Sequence, residues 1–280
     1  MLEMSVVSDI KILYHLLFKR VQGVSHAERL DSFYSGQADG YDEFRERLLK
    51  GRAEMIDACR CYISRHSDVF SDLSNSAWLD LGGGTGRNLA YSPQLRESFK
   101  RVLVVDLSQS LLDQADQRTR AEGWLNVGTS LRDVTTLTLS ELSAQEVTKV
   151  NLVTFSYSLT MIPDWFSAID NALNLLEPGG ILAVVDFYVA RKHGYSIAAG
   201  RVSGDETGTL MKNMTAQHSW FTRTFWPTWF SLDNVYLSPD HLPYLLKRCD
   251  IVDVREFYGS VPYIPIIKVP YYIFLGRKKG

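Results

Sequence analysis

Short apolar runs alternate with amphipathic stretches through the middle of the chain. Between about Ser76 and Asp186 the runs "AWLDLGG", "RVLVVDLS", "NLVTFSYS" and "GGILAVVDFYVA" read as strands. The stretches "QSLLDQADQRTRAEG" and "DWFSAIDNALNLLEPGG" read as helices, the second stopping at Pro178-Gly179-Gly180 just before a strand. This alternation predicts βαβ units with right-handed crossovers and a parallel sheet. The strands are continuously apolar because both of their faces are covered. Two later runs, "IVDVREFYG" and "KVPYYIFLGRK", bring the legible strands to six and are expected to complete a seven-stranded sheet, with an antiparallel hairpin at the edge. The expected class is α/β: a mostly parallel sheet with helices on both faces.

Two regions break the rhythm. Residues 1–75 read as an N-terminal helical cap or lid, and residues 191–248 as an insertion rich in Trp, Phe, Tyr and His. The core is therefore expected over 76–280, interrupted by that insertion.

Composition narrows the classes. With 45% hydrophobic and 22% charged residues the chain can bury a core. Its net charge of -2 argues against nucleic acid as a partner, since a phosphate backbone calls for excess Lys and Arg. Cys59, Cys61 and Cys249 read as reduced thiols, which points to the cytoplasm, and no metal site is expected. No run reaches the roughly 18 apolar residues of a spanning helix. Ile10, Leu13, Tyr14, Leu17 and Val21 fall at helical spacing among Lys11, Lys19 and Arg20. That pattern suits a helix packed on its own domain or one lying in a membrane interface, so peripheral membrane contact stays open.

The chemistry centres on "WLDLGGGTGRNLA", where Asp80, Gly82, Gly84 and Gly86 form D-x-G-x-G-x-G at the end of the first sheet strand. Glycines allow a sharp turn and close approach to a ligand. The helix expected to follow would offer free N–H groups. A nicotinamide fingerprint would need a third glycine where Arg87 stands. The spacing instead resembles class I S-adenosylmethionine-dependent methyltransferases, with a Rossmann-like fold. Asp106 ends the second strand, where a carboxylate accepts ribose hydroxyls. The resemblance further implies that Asp80, Gly82, Gly83 and Gly84 border the methionine part, Leu107 the adenine and Asp133 the adenine amino group. Ser156, Tyr157 and Ser158 would end the fourth strand at the reaction centre.

Beyond the common core, "ERLDSFYSGQADGYDEFRERLLKGR", "SYSLTMIPDWFSAIDNALNLLEPGGILAVVDFYVARKH" and "HSWFTRTFWPTWFSLDNVYLSPDHLPYL" closely resemble the methyltransferase part of betaine-lipid synthases. This implies N-methylation, up to three times, of the homoserine nitrogen of a diacylglyceryl-homoserine lipid. The aminocarboxypropyl transferase that makes the lipid would be a separate domain or partner. It also implies that the segment ahead of the core folds over the cofactor. Tyr34, Gln37 and Tyr41 would face the sulfonium and its methionine tail, with Arg45 and Arg47 near carboxylates.

Methyl transfer to nitrogen needs a lone pair held about 3 Å from the methyl carbon. An α-amino group with a pKa near 8 needs only a mild proton acceptor. Tyr157, His193, His218 and water are the candidates. A quaternary ammonium product suits aromatic faces, and the pool includes Tyr188, Trp220 and Trp226. A hydrophobic cover over the sheet end is the other reading of Trp220–Phe230. Arg45, Arg47 or Arg223 could hold a substrate carboxylate. A soluble amino-acid-derived amine, or a non-catalytic partner of the transferase, remain alternatives.

Overall fold

A computed structural model describes residues 47–190, 218–231, 235–262 and 264–279. Tyr34, Gln37, Tyr41, Arg45 and His193 lie outside them, as does the 10–21 segment.

The described chain forms one seven-stranded sheet. Its strands are β1 (Ala77–Leu81), β2 (Arg101–Asp106), β3 (Val127–Leu131), β4 (Val150–Ser156), β5 (Ile181–Phe187), β6 (Cys249–Val261) and β7 (Ile264–Lys278). The order is β3-β2-β1-β4-β5-β7-β6. The first five run parallel, while β7 lies antiparallel between β5 and β6. The chain direction therefore reverses its path at β1, which has β2 on one side and β4 on the other.

Successive strand residues point to opposite faces, and both faces are apolar here. Trp78, Val102, Val104, Leu152, Val185 and Ile273 pack on one side. Leu79, Leu103, Val105, Val153, Val184 and Phe274 pack on the other. The first face is covered by α1 (Arg52–Arg65), α2 (Pro93–Ser98), α3 (Gln109–Ala121) and α6 (Trp220–Ser231). The second carries α4 (Leu139–Ser143), α5 (Trp165–Leu175) and α7 (His241–Arg248). Side-chain caps fix several helix starts. Ser108 accepts from Leu111 N at α3, Asp164 from Ser167 N at α5, and Thr138 forms a capping box with Glu141 at α4.

Three details differ from the sequence expectation. First, β3 reads weakly because "VGTSL" is an edge strand with only Val127 and Ser130 buried, so no apolar run marks it. Second, α1, at the end of the expected 1–75 cap, packs in the helical layer with Met55, Ile56 and Cys59 wholly buried, while residues 1–46 of that cap lie outside the described residues. Third, no regular helix follows the glycine turn directly. A single 3-10 turn, Arg87–Ala90, comes first. Pro93 holds Ser92 at φ -147°, ψ 88°, outside the helical region, so α2 starts only at Pro93.

Candidate functional site

A cavity of about 270 Å3 opens at the C-terminal ends of β1, β2 and β4. This is where a doubly wound sheet leaves a crevice, because the chain leaves β1 in opposite directions. Gly82, Gly84, Asp106, Leu107, Asp133, Tyr157 and Ser158 line it, together with the loop Met161–Asp164.

The glycine turn is built by close contact. Gly82 has φ +64°, and a Cβ there would come 2.4 Å from that of Ser158. Ser158 Oγ in turn donates to Leu81 O at 3.0 Å, drawing the ends of β1 and β4 together. A Cβ on Gly83 would stand 2.7 Å from Asp80 Oδ2. The N–H groups of the turn are used internally. Those of Gly82 and Gly83 donate to Val105 O, that of Gly86 to Gly83 O, and that of Gly84 to Asp106 Oδ2. The array of free donors expected for an anion is therefore absent from these residues. Arg118 of α3 clamps the turn from outside by donating to Thr85 O and Oγ1.

Asp80 is completely buried and does not line the cavity. Asn88 donates to both its oxygens at 3.2 and 3.1 Å, and Thr154 Oγ1 donates to Oδ1 at 2.6 Å. Thr154 is itself fixed by Trp78 Nε1 at 2.8 Å. Burial pushes the carboxyl up to about 6, against these hydrogen bonds and the nearby Arg52 charge. Its place in the structure is to fasten the turn, whereas the sequence reading put it beside the cofactor. Asp106 faces the cavity, its two oxygens accepting from Gly84 N and Ser108 N at 2.9 Å each. Asp133 is exposed at the rim and accepts from Thr135 N and Oγ1.

The other sequence candidates scatter. Tyr157 lines the cavity with φ +55°, a rare conformation for a non-glycine residue. Its hydroxyl donates to Lys50 O at 2.5 Å, and burial raises its pKa well above the ordinary phenol value. With that proton held on a carbonyl, it is not set up as a proton acceptor. His218 is buried away from the cavity lining, where its Nδ1 accepts from Ala190 N, and burial lowers its pKa to about 4. It stands outside the cavity lining of the described residues. Ser156 Oγ is buried without a hydrogen-bond partner, and Ser156 is not among the lining residues.

Tyr188 donates to Glu256 Oε1, and its ring meets those of His218 and Tyr272. Trp226 is buried and donates from Nε1 to Lys268 O. Arg223 donates from Nε to His218 O. Arg47 is half-buried. None of these four lines the cavity. Tyr188 and Arg223 meet at His218, outside the cavity lining, and Tyr188 and Trp226 take part in packing.

One residue at this edge escaped the sequence reading. Asp186 is fully buried at the end of β5. It accepts from Thr160 N, Thr160 Oγ1 and Phe187 N, and so ties down the loop that forms one cavity wall. Burial pushes it up to about 7. The signal was present: it is the one charge in the otherwise apolar strand "ILAVVDF".

The lining also discriminates between cofactors. It contains Asp106, Asp133 and Asp164 and neither Lys nor Arg among the described residues. A pyrophosphate would meet carboxylates and spent N–H groups. A sulfonium nucleoside fits, because it is cationic, offers ribose hydroxyls to Asp106, and places a flat base among Leu107, Leu111 and Val134.

Comparison with known proteins agrees. Residues 79–182 match a family model described as a methyltransferase domain. The tRNA 5-carboxymethoxyuridine methyltransferase of Escherichia coli (strain K12) is 29% identical over 142 residues, covering 48% of this chain and 49% of the relative. Methyltransferase tpcH of Aspergillus fumigatus is 32% identical over 109 residues, 38% of this chain and 36% of the relative. The chain thus spans half or less of the length of these curated relatives. Among solved structures, the N-methyltransferase NodS from Bradyrhizobium japonicum WM9, in complex with S-adenosyl-L-homocysteine, superposes with a TM-score of 0.50. It is 15% identical, with 91% of this chain and 100% of NodS covered, which speaks to the fold. The matched segment, 79–182, holds the glycine turn, Asp106 and most of the cavity lining, so the part of this chain that resembles a methyltransferase domain is the part that builds the site.

Proposed function

We propose that the protein is an N-methyltransferase acting on the homoserine nitrogen of a diacylglyceryl-homoserine lipid, adding up to three methyl groups. The observation that carries methyl transfer is the carboxylate-lined, cation-free cavity at the switch point of the sheet. The acceptor is supported by the resemblance of the flanking segments to betaine-lipid synthases.

Bound S-adenosylmethionine supplies an electrophilic methyl group. The chain's own residues provide the rest. Asp106, held by two backbone N–H groups, presents its carboxylate for ribose hydroxyls. Asp80, Asn88 and Thr154 keep the glycine turn in shape. Asp186 holds the Thr160 loop against the cavity. An amine with a pKa of about 8 is half neutral at that pH and needs no strong base. The positions of Tyr157 and His218 favour release of its proton to water.

A second reading comes from the relative named as a tRNA methyltransferase. A nucleic-acid acceptor fits poorly with a net charge of -2, but it is a useful arm of the test. Methyl-labelled cofactor is incubated with the lipid amine, a soluble homoserine derivative or tRNA. The proposal expects mono-, di- and trimethylated lipid. Label confined to tRNA or to the soluble amine overturns the lipid assignment. Cofactor binding without turnover on any acceptor supports a non-catalytic partner role.

A further inference from the structure

The helix α6 has an outer face unlike any other surface described. Its sequence, "WFTRTFWPTWFS", contains one charged residue, Arg223. Trp220 and Phe221 are 72% and 59% exposed. A surface helix ordinarily presents charged and polar residues to water. Here the hydroxyls of Thr224, Thr228 and Ser231 donate back to the carbonyls of Trp220, Thr224 and Thr228. The polar groups of this face are therefore satisfied within the helix, as suits a medium that offers few hydrogen bonds.

The surroundings continue the theme. The indole of Trp226 bonds to Lys268 O, which sets α6 beside the β6–β7 hairpin. Of the hairpin's described side chains, Ser260, Val261, Pro262 and Ile267 carry no charge. Val261 and Ile267 pack into the same cluster as Phe225 and Trp229. Exposed Lys268 and half-exposed Arg223 flank this apolar area with positive charge. Trp and Phe beside cations are the make-up of a helix that lies in a headgroup layer.

We infer that the outer face of α6, with the adjoining hairpin, docks on an anionic membrane surface. A continuous path of rings links that face to the cavity. Phe221 stacks on Phe225 at 5.2 Å, Phe225 meets Trp226 at 5.0 Å, and Trp226 meets Phe230 at 5.5 Å. Phe230 contacts Phe187 at 5.0 Å, and Phe187 contacts Tyr157 of the cavity wall at 4.5 Å. A protein docked by α6 would have its cavity joined to the lipid-facing surface by this run of six rings. The inference deepens the lipid-acceptor reading, but docking can be tested without catalysis.

The full chain is sedimented with phosphatidylcholine vesicles prepared with and without phosphatidylglycerol. Binding is expected to the anionic vesicles, with a blue shift of tryptophan fluorescence. The exposed pair Phe221→Glu and Thr228→Glu should reduce partition about tenfold or more, the worth of one buried phenyl side chain. Phe221→Leu should retain it. Cofactor titration should be the same in all variants, which shows that the fold is intact. No vesicle binding by the parent chain, or equal binding by the double-Glu variant, overturns the inference. So does a self-associated chain that the double-Glu variant makes monomeric without any effect of vesicles, since a second copy then covers the face. Vesicle binding without methylation of the lipid amine would leave docking standing and remove only the acceptor reading.

Discussion

On the β1–β3 side of the sheet edge the site is made of glycines and carboxylates, packed so closely that a Cβ at Gly82 has no room. On the β5–β7 side the corresponding region is aromatic: Phe187 leads to Phe230 of α6, and Tyr188 packs on Tyr272 on the opposite face of the sheet. The first region is polar because it must hold one small cation in one orientation. The second is apolar and extends to the surface of the molecule. The contrast teaches that the cavity is shaped by a few short contacts, while the surface proposed to dock on lipid is a broad apolar one. Substitutions should therefore act sharply on one side and gradually on the other.

Gly82→Ala is the most severe test of the tight side. The left-handed backbone and the 2.4 Å approach to Ser158 both oppose a side chain. Together they should cost about 3 kcal/mol or more. Calorimetric titration should show cofactor binding lost, while vesicle binding through α6 persists. If both are lost together, the two regions are not independent.

Asp186 lies where the regions meet. Asp186→Ala leaves the N–H and hydroxyl of Thr160 without their acceptor and should cost about 2–3 kcal/mol in urea unfolding. The pH dependence has a definite sign. The folded carboxyl titrates at about 7, against an ordinary value of 3.8. Between those values the folded chain keeps a proton that the unfolded chain has lost. This contribution to stability is full below about pH 4 and falls as pH rises to 7. Asp186→Asn should remove that part of the slope, seen as a flatter stability profile from pH 4 to 7.

Much of the tight region was legible in the sequence because its parts are local. The spacing of Gly82, Gly84 and Gly86, and a carboxylate closing each of two apolar strands, can be read within a dozen residues. What those carboxylates do was less legible. Whether Asp80 faces the ligand or Asn88 and Thr154 depends on side chains far apart in the chain. The aromatic region was legible only as composition. Nothing local says that Trp226 turns inward to Lys268 O while Trp220 turns outward. Likewise β3 was invisible because an edge strand needs no apolar run.

His241 probes the apolar side with a smaller effect. It is fully buried against Trp165, and neither ring nitrogen has a hydrogen-bond partner. Burial lowers its pKa to about 3 from 6.5. As pH falls below 6.5 the unfolded chain gains a proton that the folded chain refuses, so stability is lost toward pH 3. His241→Leu should flatten that acid limb and add about 1 kcal/mol at neutral pH in thermal or urea unfolding. A loss of stability at neutral pH would mean that the imidazole has a polar task.

The central claim is that a carboxylate edge at the end of β2 holds a cationic nucleoside cofactor. Calorimetric titration of S-adenosylmethionine into the parent chain and into Asp106→Asn tests it most directly. The account predicts saturable binding by the parent. In the variant, affinity should fall about 30-fold, equivalent to about 2 kcal/mol; the amide also loses one of the two backbone acceptors, so urea unfolding should show a cost of about 1–2 kcal/mol with the chain still folded. Equal affinity in the two proteins, or tighter binding of a nicotinamide dinucleotide than of S-adenosylmethionine, would contradict it.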